Sequence, residues 1–125
     1  MNIGNLFALN GKIETEALSV CCVQFAPVGA QTVDELNENT ETMLDYLDMA
    51  VSAFPGVDLV VFPEACFQGF APVNFDEALM TDESEQLLRV RERCKKLSVW
   101  SVIDPLIRSK TGKCFENTAM VIDDR

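Results

Sequence analysis

Blocks of apolar and polar residues along this chain predict strands and helices in alternation. Residues 18–25 and 57–62 are short, nearly continuous apolar runs, which is typical of buried strands of a sheet covered on both faces. Between them, Thr32 or Asp34 can begin a helix that Pro55-Gly56 ends. The apolar positions of this helix recur at steps of three and four, which predicts one buried stripe: Leu36, Met43, Leu44, Leu47, Ala50, Val51 and Phe54. A strand–helix–strand unit of this length predicts a parallel strand pair with a right-handed crossover.

The rest of the chain continues the alternation. A second helix is predicted over residues 84–97, a third strand over 99–103 and, after a turn, a single strand over 115–122. The order β-α-β-α-β-β is that of an α/β fold with helices packed on a sheet. Residues 1–17 show no periodicity and are expected to form an N-terminal arm, so residues 18–125 carry the one domain.

Glu64 stands where the second apolar run breaks. Pro63 has no N–H for strand pairing and favours extended geometry at Phe62, so Glu64 is expected at the carboxyl end of the strand. Open α/β sheets usually carry their chemistry at that edge. Desolvation by Val61, Phe62 and Phe67 would make the carboxylate a stronger base. From position alone, the alternative is a residue that caps the following turn or pairs with a surface cation.

Composition narrows the classes of function. The 125 residues carry a formal net charge of −10, which argues against nucleic acid and anionic membranes as partners. Five cysteines without regular spacing do not suggest a disulfide framework, and they fit a reducing cytoplasm. The chain has no histidine and no Cys-x-x-Cys pair, so we expect no metal and no cofactor. Acid–base chemistry then falls to carboxylates or lysines.

Four short motifs carry a family resemblance. Phe62-Pro63-Glu64 followed by Gln68-Gly69 resembles the glutamate motif of the nitrilase superfamily, the carbon–nitrogen hydrolases, and is most similar to its aliphatic amidase and formamidase branch. Residues 23–28 resemble the first strand of that family, Asn39 the asparagine of its first helix, and Asn117-Thr118-Ala119 the tripeptide that opens a later strand. The motifs occur in the family's order, and the resemblance spans about residues 18 to 122.

The resemblance implies an α/β fold that is the N-terminal half of an αββα sandwich. It also implies hydrolysis of small aliphatic amides to acid and ammonia by a glutamate, a lysine and a cysteine. The cysteine attacks the amide carbon, the lysine stabilises the oxyanion, and the glutamate acts as general base. Glu64 matches that glutamate by its motif. The family's lysine follows the strand that opens with the asparagine tripeptide, and its cysteine lies further on, so neither is identified in this chain.

Three other side chains bear on that assignment. Lys110 and Lys113 precede Asn117 and therefore do not match the lysine by motif. Cys66 lies two residues after the motif glutamate, but the family does not place its nucleophile there, and a small packing residue is the alternative. Asp104 stands where the family usually has a glutamate near the end of the third strand, which is expected to alter the local hydrogen bonds of the pocket.

Two readings of function follow, and a third is disfavoured. The chain is either an amidase-type hydrolase fragment or a catalytically inactive, truncated homologue that acts as a folded interaction or structural module. A generic doubly wound binding domain is disfavoured because neither strand–helix junction carries a glycine-rich phosphate motif. A half sandwich leaves an apolar sheet face uncovered, so we expect a homo-oligomer or pairing with a complementary half.

Overall fold

The computed structural model describes residues 17–70 and 76–125, so the predicted N-terminal arm lies outside the described residues except for its last position. The elements are β1 (Val20–Cys22), α1 (Val33–Ala53), β2 (Leu59–Val61), a short 3-10 helix (Asp76–Ala78), α2 (Glu85–Leu97), β3 (Trp100–Ile103), β4 (Leu106–Arg108), β5 (Phe115–Asn117) and β6 (Met120–Ile122). Strands β1, β2, β3 and β6 form one sheet in that order, the first three parallel and β6 antiparallel to β3. Strands β4 and β5 form a separate antiparallel pair.

Helix α1 begins and ends at signals within its own sequence. Thr32 caps it, since its hydroxyl accepts from the N–H of Glu35 at 3.3 Å, while the Glu35 carboxylate accepts from the N–H of Thr32 at 3.2 Å. This reciprocal pair satisfies two N–H groups that the first turn leaves open. At the other end the N–H of Phe54 donates to the carbonyl of Ala50, and Gly56 takes a φ of 90° that turns the chain towards β2. The predicted helix is confirmed, with Thr32 rather than Asp34 as its cap, but Phe54, which was expected in the buried stripe, is exposed.

Helix α2 packs beside α1 on the same face of the sheet. Strands β1, β2 and β3 are parallel neighbours in that order, and α1 and α2 contact each other. Crossovers between parallel strands are almost always right-handed, and two of them advancing in one direction place both helices on one side of the sheet. The ion pairs Arg89–Glu41 and Arg93–Asp48 join the exposed edges of the two helices.

Neither helix combines the length and apolar character that a membrane crossing needs, within the part of the chain that the structure describes.

The two faces of the four-stranded sheet differ in cover. The inner side chains, among them Val60, Ile103 and Ile122, are buried against the helices in the main core. The outer face is open: Val20, Trp100 and Val121 have 47%, 41% and 63% of their surface exposed. Every outward position is apolar or cysteine: Val20, Cys22, Leu59, Val61, Trp100, Val102 and Val121. Cover on both faces, predicted from the apolar runs, is therefore absent among the described residues.

The C-terminal strands differ from the prediction. The single strand predicted over residues 115–122 is wrong, because β5 and β6 belong to different sheets. The chain leaves β5 at Asn117, and the N–H of Thr118 donates to the carbonyl of Pro105 at 3.3 Å before β6 pairs with β3. Strand β4 was not predicted, because two apolar residues, Leu106-Ile107, directly after Pro105 are too short a run to indicate a strand.

Candidate active site

Side chains from three strand ends meet at the carboxyl edge of the sheet. Glu64 follows β2, Asp104 follows β3, and Asn117 is the last residue of β5. The side-chain amide of Asn117 donates a hydrogen bond of 2.7 Å from Nδ2 to Oε1 of Glu64. Glu64 therefore lies at the predicted edge, and its side chain is held by a neutral donor that is 53 positions away in the sequence.

Glu64 is exposed to solvent in this chain. Phe62 and Phe67, which were expected to surround its carboxylate, are buried in the core instead. Val61 is half-buried on the outer face of β2. The expectation that these three side chains desolvate Glu64 is therefore wrong for the described residues, since none of them shields its carboxylate from water.

The backbone after Glu64 turns sharply. Ala65 has a φ of 50°, a left-handed conformation that costs an alanine about 1 kcal/mol. The Ala65 carbonyl accepts from the N–H of Gly69 at 2.6 Å, which closes the turn. The N–H of Ala65 points to Oδ1 of Asp104 at a long 3.5 Å, and the N–H of Asp104 donates to Sγ of Cys66 at 3.3 Å. These contacts hold the strained residue in place and so fix where the side chain of Glu64 starts.

Gln68 ties this turn to strand β4. Its side chain is fully buried, and its Nε2 donates to the carbonyls of Ala78 and Leu106 at 2.9 and 3.0 Å. Its Oε1 accepts from the N–H of Leu106 at 3.0 Å. Loss of this buried amide would lower the stability of the fold, because each of its partners would be left without a hydrogen bond away from water. The motif glutamine is therefore a structural anchor of the site.

Gly69 and Asn39 tie the same turn to the loop before α1. A Cβ on Gly69, whose φ is 61°, would lie 2.7 Å from the carbonyl oxygen of Val28 and 2.9 Å from that of Pro27. The buried amide of Asn39 donates to the carbonyls of Val28 and Phe67 and accepts from the N–H of Val28, all within 2.9 Å. Only glycine therefore fits at position 69. Asn39 links helix α1, the loop before it and the turn after Glu64.

The pKa of the Asp104 carboxyl group is raised. Desolvation raises the pKa of its carboxyl group, the contact with the N–H of Ala65 opposes that change, and the negative charge of Glu64 adds to it. Two carboxyl groups thus face the same edge and repel each other when both are ionised.

Groups of three or more potential metal ligands do not occur in residues 17–70 and 76–125.

The thiol nearest to Glu64 is unsuited to nucleophilic attack. Cys66 is buried, and burial raises the pKa of its thiol to about 12. Since the thiolate is the nucleophile, almost none of it is in the reactive form near neutral pH. Cys66 therefore packs as a small apolar residue, which was the alternative expected for it.

Lys110 and Lys113 lie in the β4–β5 turn, at the end of β5 opposite to Asn117.

Comparison with known proteins decides the family. The family model described as carbon-nitrogen hydrolase matches residues 19–125. The chain belongs to the carbon-nitrogen hydrolase family. Among curated relatives of this carbon-nitrogen hydrolase chain, the formamidase of Pseudomonas syringae pv. tomato is 26% identical over 101 residues, which are 81% of this chain and 30% of the relative. The formamidase of Helicobacter acinonychis is 24% identical over 113 residues, which are 88% and 34%.

Solved structures agree on the fold. An amidase from Nesterenkonia sp. superposes with a TM-score of 0.63 at 18% identity, over 86% of this chain and 38% of its own. Nit3 of Saccharomyces cerevisiae, a member of branch 10 of the nitrilase superfamily, gives a TM-score of 0.61 at 20% identity, over 86% and 40%. The predicted fold, one half of a nitrilase-type αββα sandwich, is thereby confirmed. The chain spans about a third of the length of the curated relatives it matches.

Sequence reasoning missed how the carbon-nitrogen hydrolase motifs meet. Asn117 was assigned only to the opening of a strand, yet it contacts Glu64 directly. Gln68 was assigned only to a motif, yet its side chain reaches Leu106, 38 positions away. The available signal was that both residues occur in motifs of the same family, which suggests that the motifs come together in space.

Proposed function

We propose that this chain contributes the general base, Glu64, to a carbon-nitrogen hydrolase site that cleaves small aliphatic amides to acid and ammonia. The lysine and the cysteine of this site are supplied by polypeptide that packs against the chain. The observation that carries the proposal is the placement of Glu64 at the carboxyl edge of parallel strands, with Oε1 held at 2.7 Å by Asn117. Family membership and the formamidase relatives support the reaction class.

The chemistry assigned to Glu64 consists of proton transfers. Its carboxylate takes the proton of the supplied thiol, and the thiolate attacks the amide carbon. The supplied lysine stabilises the oxyanion, and ammonia leaves with a proton returned from Glu64. Water then attacks the thioester while Glu64 accepts its proton; the C–S bond breaks, the acid is released, and Glu64 returns the proton to the departing sulfur, which restores the thiol and the carboxylate. An exposed carboxylate is accessible to each of these partners, and packing of the supplied polypeptide would bury it.

The proposed site needs a nucleophile other than Cys66, because the thiol of Cys66 is unsuited to attack the amide carbon. Cys66 is buried behind the turn, and the pKa of its thiol is about 12. Activation of that thiol would need both a conformational change and a large drop in its pKa. The thiol nearest to Glu64 is therefore not the nucleophile that Glu64 would activate.

A chimera tests the proposal. Residues 19–125 replace the matching segment of the formamidase of Pseudomonas syringae pv. tomato, and ammonia release from formamide and acetamide is measured. Circular dichroism and elution volume, compared with the parent formamidase, establish that the chimera is folded. We expect ammonia release well above the background of the same reaction mixture without protein. A folded chimera that releases no ammonia would contradict the proposal.

The open sheet face favours a second candidate, a non-catalytic interaction module. Trp100 and Val121 line a groove of about 480 Å³ on this face, beside Leu59 and Val102. Apolar outward positions on all four strands are unusual for a surface in contact with water. This candidate pairs the face with a second copy of the chain or with a complementary half.

Sedimentation of the isolated chain tests this second candidate. We expect self-association that Val121→Lys abolishes, because a charge in the middle of an apolar interface is costly. Leu88→Lys is the matched control, since Leu88 on α2 is also exposed, at 45%, but lies away from the sheet. A monomeric parent chain, or equal effects of the two substitutions, would contradict association through the outer face.

A further inference from the structure

The contact between Glu64 and Asn117 closes a ring of interactions. Glu64 leads through its turn to Gln68, whose side chain binds both the N–H and the carbonyl of Leu106. Leu106 is the register partner of Asn117 in the β4–β5 pair, and Asn117 returns to Oε1 of Glu64. The buried amide at one end of the turn thus sets the position of the amide that binds the carboxylate at the other end.

We propose that Asn117 is a positioning residue for Glu64. The amide of Asn117 binds Oε1 of Glu64, and this leaves Oε2 of Glu64 as the oxygen that accepts the proton. Gln68 sets the position of Asn117 through Leu106. This inference rests on the proposed function, because it assigns a role to Asn117 only if Glu64 is the base. It adds a second residue of this chain to the site and names the reactive oxygen.

Charge explains why a neutral donor is suited to this place. A lysine or arginine bound to Oε1 would stabilise the ionised carboxylate strongly and weaken it as a base. An amide N–H orients the carboxylate without adding a full charge. Asp104 stands at the same edge, and its repulsion of Glu64 favours displacement of the glutamate side chain. The hydrogen bond from Asn117 opposes that displacement.

Nuclear magnetic resonance of the full chain tests the contact. The side-chain NH2 signals of Asn117 are followed over the range in which carboxyl groups titrate, about pH 3 to 6. We expect these signals to shift with pH in the parent chain and to lose that shift in Glu64→Gln. Glu116→Gln is the control, since Glu116 is an exposed neighbour of Asn117 in the sequence, and the shift is expected to remain. A pH response that survives Glu64→Gln would overturn the positioning role.

Kinetics of the chimera supply the readout that a purely structural role would not change. We expect Asn117→Ala to lower kcat about 10-fold with little change in KM, because the lost bond orients a reacting group. Asn117→Gln, which keeps the amide donor, should recover part of that loss. An unchanged kcat in a folded Asn117→Ala chimera would overturn the inference.

Failure of the inference differs from failure of the proposed function. If Glu64→Gln abolishes ammonia release but Asn117→Ala does not reduce it, Glu64 remains the base and the positioning role is wrong. If Glu64→Gln leaves ammonia release intact, the proposed function is wrong, and the positioning role falls with it.

Discussion

The two ends of the turn from Glu64 to Gly69 are built differently. At the far end, Gln68 and Gly69 are buried and are fixed by side-chain hydrogen bonds and by close backbone packing. At the near end, Glu64 is exposed, and Asn117 binds one of its oxygens. One short motif thus combines a rigid anchor with an accessible carboxylate. A catalytic group gains from this division, because it needs a fixed origin and a free reactive atom.

Replacement of Gly69 tests the rigid end with the largest expected effect. We expect Gly69→Ala to lower the free energy of unfolding by about 3 kcal/mol or more, through a left-handed alanine and a clash with two backbone carbonyls. Urea denaturation measures this change. Gly112→Ala is the matched control, because Gly112 has a similar φ of 69° with open space around it, and about 1 kcal/mol is expected. Equal losses in the two variants would show that the close approach to residues 27 and 28 is unimportant.

Thiol labelling tests whether the inside of the turn is closed. At pH 8, we expect iodoacetamide to modify the exposed Cys114 at least ~100-fold faster than Cys66, because burial raises the pKa of the Cys66 thiol to about 12. Labelling of Cys66 should accelerate as the pH approaches that value. Mass spectrometry of tryptic peptides gives the rates. Labelling of Cys66 as fast as Cys114 in the folded chain would contradict the buried, inert assignment.

Replacement of Gln68 tests the anchor itself. We expect Gln68→Leu to lower the free energy of unfolding by about 2 kcal/mol, since it removes three hydrogen bonds and leaves buried groups of Leu106 and Ala78 without that partner. Gln86→Leu is the control, because it removes the hydrogen bond from the side chain of Gln86 to Asn37, and about 1 kcal/mol is expected. A smaller loss for Gln68→Leu than for the control would remove Gln68 from its role as anchor.

Asp104 gives the smallest effect and depends on pH. Its pKa is raised in the folded chain, first by desolvation and then by Glu64, so its ionised form disfavours folding at neutral pH and its protonated form does not. Asp104→Asn should therefore stabilise the chain by a fraction of ~1 kcal/mol at pH 7, since solvent screens this partly exposed group. The gain should vanish as the pH falls below the unfolded pKa, about 3.9.

A second substitution separates this local effect from net charge. Asp45→Asn, on the exposed side of α1, removes the same one unit from the net charge of −10. Thermal unfolding across pH compares the two variants, and only Asp104→Asn should lose a stabilisation of local origin on acidification. Identical pH profiles would attribute the whole effect to net charge.

The sequence was a good guide to local structure and a poor one to contacts between distant residues. Helix α1 was predictable because its cap, Thr32 and Glu35, and its apolar stripe lie within one segment. The edge position of Glu64 was predictable because Pro63 ends the strand. The exposure of Glu64 and its bond to Asn117 were not, since they depend on how β5 is placed by Gln68 and β4.

The measurement that tests the central claim most directly is the rate of ammonia release from formamide by the chimera with Glu64→Gln. Glutamine has nearly the same shape but cannot accept the proton, so we expect a loss of at least ~100-fold in kcat. Glu116→Gln, an exposed change in the adjacent strand, should leave the rate unchanged. A folded Glu64→Gln chimera that works as fast as the Glu116→Gln control would contradict the assignment of Glu64 as the base.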